Sequence, residues 1–193
     1  AQLPPGKPLS QFDFSVVEGI NKNQLIALAD QQQWVNQAEN VLLFGASGVG
    51  KTHLACGIGY ALLAQGVRVK FTSATHLAQS LQQAKAALVL TDVLARMDKY
   101  TVLIIDDIGY VKKSSQETQV LFELIAHRYE TGSLIITSNQ PFSGWDQIFD
   151  DNMMTVAAID RLVHHATILE IGGESYRKKA SMMRKEMPIA NDN

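Results

Sequence analysis

Gly45-Ala46-Ser47-Gly48-Val49-Gly50-Lys51-Thr52 fits the spacing G-x-x-x-x-G-K-[ST]. Residue types at those places suit one task, the wrapping of a polyphosphate. The glycines let backbone N–H groups approach phosphate oxygens with no Cβ in the way. The helix that follows turns its positive end toward the same oxygens. Lys51 is then placed to reach the β- and γ-phosphates, and the Thr52 hydroxyl to ligate Mg²⁺. His53 opens the same helix, either as a structural residue or close to the phosphates. The ligands expected for Gly45 to His53 are therefore ATP and Mg²⁺. A chance glycine-rich turn would not need an apolar strand before it and a helix after it, and this segment has both.

A second chemical signal is Val102-Leu103-Ile104-Ile105 followed by Asp106-Asp107. Four apolar residues and then acids describe a buried strand whose carboxyl end emerges beside the phosphates. Asp106 is expected to hold Mg²⁺, mostly through water, because Mg²⁺ keeps much of its hydration shell. Asp107 is placed to orient and polarise an attacking water. Without the phosphate loop, the same two acids would read as a helix cap or a turn.

Ile135-Ile136-Thr137-Ser138-Asn139 is another apolar strand with a polar end. Asn139 can hydrogen-bond a γ-phosphate or the attacking water, or it can simply begin the Asn-Gln-Pro turn. Arg161, in Ile159-Asp160-Arg161-Leu162, can supply positive charge to a neighbouring subunit's transition state. Pairing at the surface with Asp160 or Glu170 is its other reading, and the chemistry alone does not choose.

The elements that must position these groups follow from periodicity. After a Pro-rich, extended lead-in (residues 1–15), residues 22–37 read as a helix. Val41–Phe44 reads as a strand, and Lys51–Leu63 as a helix ended by Gly66. Val67–Phe71 alternates like a strand. Leu77, Leu81, Ala84 and Leu88 recur at helical spacing, with a second short helix over 91–98. Thr101–Ile105 is the acid-bearing strand. Ser114-Ser115-Gln116-Glu117 matches a capping box opening a helix with Val120, Leu121, Leu124 and Ile125 on its apolar face. Gly132 is expected to close that helix. Ser133–Thr137 is a strand, followed by a loop, a helix near 155–164 and a last strand over Ala166–Ile171. Five alternations of strand and helix predict an α/β fold in three layers, a parallel sheet covered on both faces. The expected organisation is a linker and first helix over 1–40, a nucleotide-binding core over 41–173, and a basic helix and tail over 174–193.

The whole chain bounds what else is possible. Its 193 residues suit one domain, and 46% hydrophobic with 19% charged residues describes a chain that folds. No apolar run approaches membrane-spanning length, and no signal peptide opens the chain, so no membrane partner is expected. A single cysteine, Cys56, excludes an internal disulfide and fits a cytoplasmic location; its place on the helix after the phosphate loop makes it a core residue. The net charge of −2 gives no global attraction to nucleic acid, so any such contact must be local. His164 and His165 are adjacent, so they are expected to point apart and make a poor metal pair. Phe12 and Phe14 suit either an adenine pocket or core packing.

Taken together, the motifs resemble the IstB/DnaC-like branch of the AAA+ ATPases, and within it the IstB-like helpers of insertion sequences. The residues that carry the resemblance are Phe12-Asp13-Phe14, Gly45–Thr52, Leu103–Tyr110, Thr137-Ser138-Asn139, Ile159–Leu162 and Gly173-Glu174-Ser175-Tyr176-Arg177. They span nearly the whole chain in order. The resemblance implies an ASCE/AAA+ fold, Asn139 as a sensor of the γ-phosphate, and Arg161 as a finger acting in trans within a homo-oligomer. It also implies ATP-dependent assembly on duplex DNA and delivery of that DNA to a partner transposase. The family's N-terminal helical region, which meets the partner, is expected to lie outside this chain. Many relatives carry Glu where Asp107 stands, and the shorter side chain implies slower hydrolysis. A full helical lid after the fifth strand is not expected.

Candidate DNA contacts are Lys112 and Lys113, in the loop after Asp107, and Lys178 and Lys179, on a basic amphipathic stretch with Tyr176, Ala180, Met183 and Met187 at helical spacing. Solvated faces are the plain alternative for both. A replicative-helicase loader of the DnaC kind is the rival function. A metabolite kinase would need a phosphoryl-acceptor pocket and an Arg-rich lid, whereas the Asp pair and Asn139 suit water as acceptor. A nucleotide that serves mainly as assembly glue is the remaining possibility.

Overall fold

The structure, a computed structural model, describes residues 3–173 and Ser175. Its elements are α1 (Lys22–Asp30), α2 (Gln33–Asn36), β1 (Asn40–Gly45), α3 (Lys51–Ala64), β2 (Val69–Ser73), α4 (Ala74–Ala86) and α5 (Leu90–Met97). They continue with β3 (Val102–Asp106), α6 (Ser115–Arg128), β4 (Ser133–Ser138), α7 (Trp145–Ile148), α8 (Asn152–His164) and β5 (Ala166–Ile171). All strand pairs are parallel, in the order β2-β3-β4-β1-β5.

Strand alternation divides the core in two. Leu42 and Phe44 of β1, Leu103 and Ile105 of β3, and Ile136 of β4 face a layer built from α4 to α8. Val41, Leu43, Val102, Ile104 and Ile135 face the opposite layer, built on α1 and α3. Side chains that alternate on a strand must fall on opposite sheet faces, so a sheet buried on both sides needs apolar residues at every position. The five-stranded, three-layer arrangement expected from the sequence is the one observed.

β4 lies between β1 and β3, with Leu43 opposite Thr137 and Ile105 opposite Ile136. The carboxyl ends of β1, β3 and β4 therefore open side by side. Helix α3 sits close on the sheet. A Cβ on Gly59 would come within 2.9 Å of Ile104 Cδ1, so glycine there permits the approach.

Several local expectations needed revision. The helix expected over 22–37 is two helices, broken at Gln31 in extended conformation. Leu88 does not continue α4; it sits at φ +59° in the turn that follows and is 93% exposed. The helix before β4 ends at Arg128, ahead of Gly132. The stretch after β4 holds α7, whose Trp145 is fully buried among Phe44, Phe142 and Phe149. The lead-in carries two 3₁₀ turns and lies along α3, where the Tyr60 hydroxyl donates to Pro4 O at 3.0 Å. The capping box is present as expected: Ser114 Oγ accepts from Glu117 N, and Glu117 accepts from Ser114 N. The basic stretch over 176–193, with Lys178 and Lys179, lies outside the described residues.

Candidate functional site

The loop from β1 to α3 turns on glycines held where side chains are strained. Gly48 has φ +88° and Gly50 φ +105°. A Cβ on Gly50 would also meet the Phe12 ring at 2.6 Å, and one on Gly48 would collide with Ser175. The first turn of α3 therefore points its backbone N–H groups toward the space above it, a cradle suited to phosphate oxygens. Cys56, further along α3, is wholly buried, and burial raises its thiol to about 11, so it is an inert core residue.

Ser47, Gly48, Val49, Gly50, Lys51, Thr52 and His53 line a cavity of roughly 280 Å³ together with Asp107 and the lead-in residues Lys7, Gln11, Phe12 and Asp13. The lead-in is tied down around it. Glu18 and Gly172 exchange backbone hydrogen bonds of 3.1 and 2.9 Å, and His53 Nε2 lies 3.0 Å from Pro8 O. Phe12 packs edge-on against Phe14 and His53, so it serves both readings, cavity wall and packing. Lys7 and Gln11 were not singled out from sequence, where their polarity within an otherwise Pro-rich lead-in was the only signal. Asp13 entered there only with Phe12 and Phe14, among the residues of the family resemblance.

Lys51 is 5% exposed, and its ammonium donates to Gly45 O at 2.7 Å and Ala46 O at 2.8 Å. Thr52 Oγ1 donates toward Asp106 Oδ1 and Oδ2 at 2.9 and 3.1 Å. Asp106 accepts a further bond of 2.7 Å from Thr137 Oγ1. Thr137 Oγ1 in turn accepts from the Asp107 N–H at 2.9 Å. Burial pushes the Asp106 carboxyl above the ordinary carboxylate range, and the Thr137 hydroxyl bond works against that shift. A hydroxyl and a buried carboxylate converging beside a phosphate cradle form a hard-oxygen donor pair of the kind Mg²⁺ takes. Thr137 was read from sequence only as part of its strand's polar end and of the Thr137-Ser138-Asn139 motif, with no role of its own.

Asp107 is exposed, at φ +57°, and stands in the cavity wall. Asn139 is not among the residues that line that cavity. Its Oδ1 has no hydrogen-bond partner, and it stands 2.9 Å from where a Cβ on Gly109 would be. Arg161 lies on α8 with Nη1 donating to Ala157 O at 3.2 Å. It belongs to the end of the sheet where β5 begins, opposite the phosphate loop, so it is not brought to its own chain's cavity.

The structure separates the two lysines after Asp107. Lys112 is exposed, while Lys113 is 2% exposed and donates to Val111 O at 2.7 Å. Burial lowers the Lys113 ammonium below its usual range. Lys113 therefore does not present a charge at the surface, as the DNA-contact expectation required.

The fold and this site define a P-loop ATP-binding domain of the AAA+ class. The chain matches the family described as IstB-like ATP binding protein over residues 1–184, and it belongs to that family. It is 51% identical over 185 residues to an insertion sequence ATP-binding protein of Sinorhizobium fredii, covering 96% of this chain and 62% of that one. An insertion sequence IS21 ATP-binding protein of Pseudomonas aeruginosa is 41% identical over 197 residues, covering 100% of this chain and 74% of the relative. Among solved structures, AMPPCP-bound DnaA from Aquifex aeolicus matches with a TM-score of 0.71 at 19% identity, over 99% of this chain and 58% of DnaA. That last likeness is one of fold. No helix among the described residues is long and apolar enough to cross a membrane.

Proposed function

We propose that this chain hydrolyses ATP with Mg²⁺ in the cytoplasm, assembles in its ATP state on duplex DNA, and readies that DNA for a transposase. The observation that carries the reading is the convergence of Thr52 and Asp106 at the mouth of the phosphate loop, 2.9 Å apart, with Asp107 in the cavity wall beside them. Membership of a family whose relatives are insertion-sequence ATP-binding proteins supports the transposition context.

In this reading the α3 N-terminus and Lys51 bind the phosphates. Thr52 and Asp106 would hold Mg²⁺, which neutralises charge on the phosphoryl group. Asp107 orients the attacking water and draws on its proton, and Asn139 senses the γ-phosphate. Arg161 stands at the opposite end of the sheet from its own phosphate loop, which suits a finger donated to a neighbouring copy. Lys112 is the surface cation after Asp107 and offers a contact to phosphate backbone; Lys178 and Lys179 complete the proposed DNA-facing set.

Light scattering with ATP, with and without duplex DNA, tests the assembly. Mixing Lys51→Ala with Arg161→Ala protein tests the trans arrangement. Each variant alone should lose turnover, roughly 10³-fold for Arg161→Ala. The mixture should recover part of it, because a Lys51→Ala subunit still lends Arg161 to an intact site. No recovery on mixing, or a protein that stays monomeric with ATP and DNA while turning over, defeats this reading. ATP-dependent binding to a replicative helicase without assembly on DNA would favour the loader function instead.

A further inference from the structure

His164 and His165, expected to point apart, do not. Their ring centroids are 4.0 Å apart, and Glu130 joins them, with one ligand atom from each of the three residues lying within 4.8 Å of the others. All three residues are exposed, so an ion would reach them from solvent. This cluster lies at the junction of the α6–β4 turn and the end of α8, well away from the phosphate loop.

We propose that Glu130, His164 and His165 form a surface site for a borderline divalent cation of the Zn²⁺ type. The ligand set is the first argument. Two imidazoles and a carboxylate are a combination Zn²⁺ takes, leaving a fourth position for water. With bonds of about 2.0–2.1 Å, tetrahedral ligands stand roughly 3.3 Å apart, so these exposed side chains need to close by up to about 1.5 Å.

Backbone geometry is the second. Glu130 sits at φ +58° in the turn between Arg128 and Ser133, a conformation glycine would adopt without strain. Glutamate there adds nothing the turn requires, yet it sets a carboxylate against two imidazoles. Local partners are the third. Tyr129 Oη lies 2.6 Å from His164 Nδ1. With its proton on Nδ1, His164 donates to the phenol oxygen and leaves the Nε2 lone pair for a metal, the outer-shell arrangement that orients ligating histidines. His164 is also the last residue of α8, where the helix carbonyls favour a cation.

An ion there would tie the α6–β4 turn to the end of α8, one helical turn from Arg161. Metal binding would thus steady the helix that carries the proposed trans-acting arginine.

The test uses untagged protein stripped with a chelator and titrated calorimetrically with Zn²⁺, in millimolar Mg²⁺ and ADP so that hard-oxygen ligands near Asp106 are already satisfied. One saturable site per chain is expected, weakened at least about tenfold by Glu130→Gln, His164→Ala or His165→Ala. Co²⁺ in place of Zn²⁺ should give the visible absorption of a four-coordinate nitrogen–oxygen site, lost in the same variants. The three residues are exposed, so the metal-free variants should melt with the wild type, and Zn²⁺ should raise the midpoint of the wild type alone. Absence of saturable binding, or binding that all three substitutions leave unchanged, overturns the proposal. Neither result bears on ATP turnover or DNA assembly, so the site stands or falls apart from the proposed function.

Discussion

Thr52 Oγ1 donates toward both carboxylate oxygens of Asp106, at 2.9 and 3.1 Å, although 54 residues separate them in the chain. The contact exists because β1 and β3 run parallel with only β4 between them, so the start of α3 and the end of β3 reach one place. Thr137, on that intervening strand, donates to Oδ1 of the same carboxylate at 2.7 Å. The pair is therefore set by three neighbouring strands, and the role proposed for it depends on a buried charge that folding disfavours.

Asp106→Asn separates those two roles. The amide keeps the shape and loses the charge, so turnover should fall by roughly 100-fold or more. Burial raises the Asp106 carboxyl above its ordinary range, which means the charged form is penalised in the fold. Without nucleotide or Mg²⁺ the variant should melt above the wild type at neutral pH, as read by calorimetry. A lower midpoint would show that the charge is compensated within the fold.

Asp107→Asn should leave the fold untouched and cut hydrolysis. Asparagine accepts the φ of +57° that Asp107 adopts, and the side chain is exposed, so stability should stay within about 0.5 kcal/mol. Turnover should drop roughly 100-fold, with ATP affinity changed by less than about threefold. Equal losses in both quantities, from single-turnover and binding measurements, would assign Asp107 to binding instead.

Gly50→Ala tests the cradle. Its φ of +105° costs an alanine about 1–2 kcal/mol, and the Phe12 ring stands 2.6 Å from the added Cβ. Affinity for a fluorescent ATP analogue should fall at least about tenfold, in line with that strain. Adding Phe12→Ala should relieve the clash without restoring affinity, because the backbone strain persists. Full rescue by the second change would mean that Phe12 alone enforced the glycine.

Lys112 and Lys113 should behave oppositely. Lys112→Ala should weaken duplex DNA binding and reduce the salt slope by about one, as for one lost phosphate contact. Lys113→Met should leave DNA binding unchanged and raise the melting midpoint by about 2–4 °C, the equivalent of roughly 1 kcal/mol in a domain this size. Burial lowers the Lys113 ammonium below 10.5, so the native state penalises its charge. That penalty is complete below the lowered folded value and fades as pH climbs from there toward 10.5, because the folded chain sheds the proton first. The advantage of Lys113→Met should therefore be largest at neutral pH and shrink in alkali. An advantage that grows with pH would contradict the assigned burial.

What the amino-acid sequence determined by itself is what neighbouring residues decide among themselves. Glycine spacing at Gly45, Gly48 and Gly50 marks a loop that approaches phosphate closely. Apolar runs ending in Asp106 and Asn139 mark buried strands with polar ends, and Ser114 with Glu117 marks a helix start. Each of these is a local constraint of backbone geometry or of side-chain period, and each survives in the structure.

Tertiary structure decided which of those segments meet. Periodicity counted Leu88 with the apolar face of α4, but the turn at φ +59° carries it into solvent. Charge counted Lys113 with the surface, but the backbone bond from Lys113 N to Ile148 O draws it beneath α7. The lead-in became a cavity wall only because α3 offered it a face. His164 and His165 came together with Glu130 only because the α6–β4 turn ends beside α8. Contacts between residues distant in sequence arise from how strands order and helices dock, and no local pattern of types encodes that order.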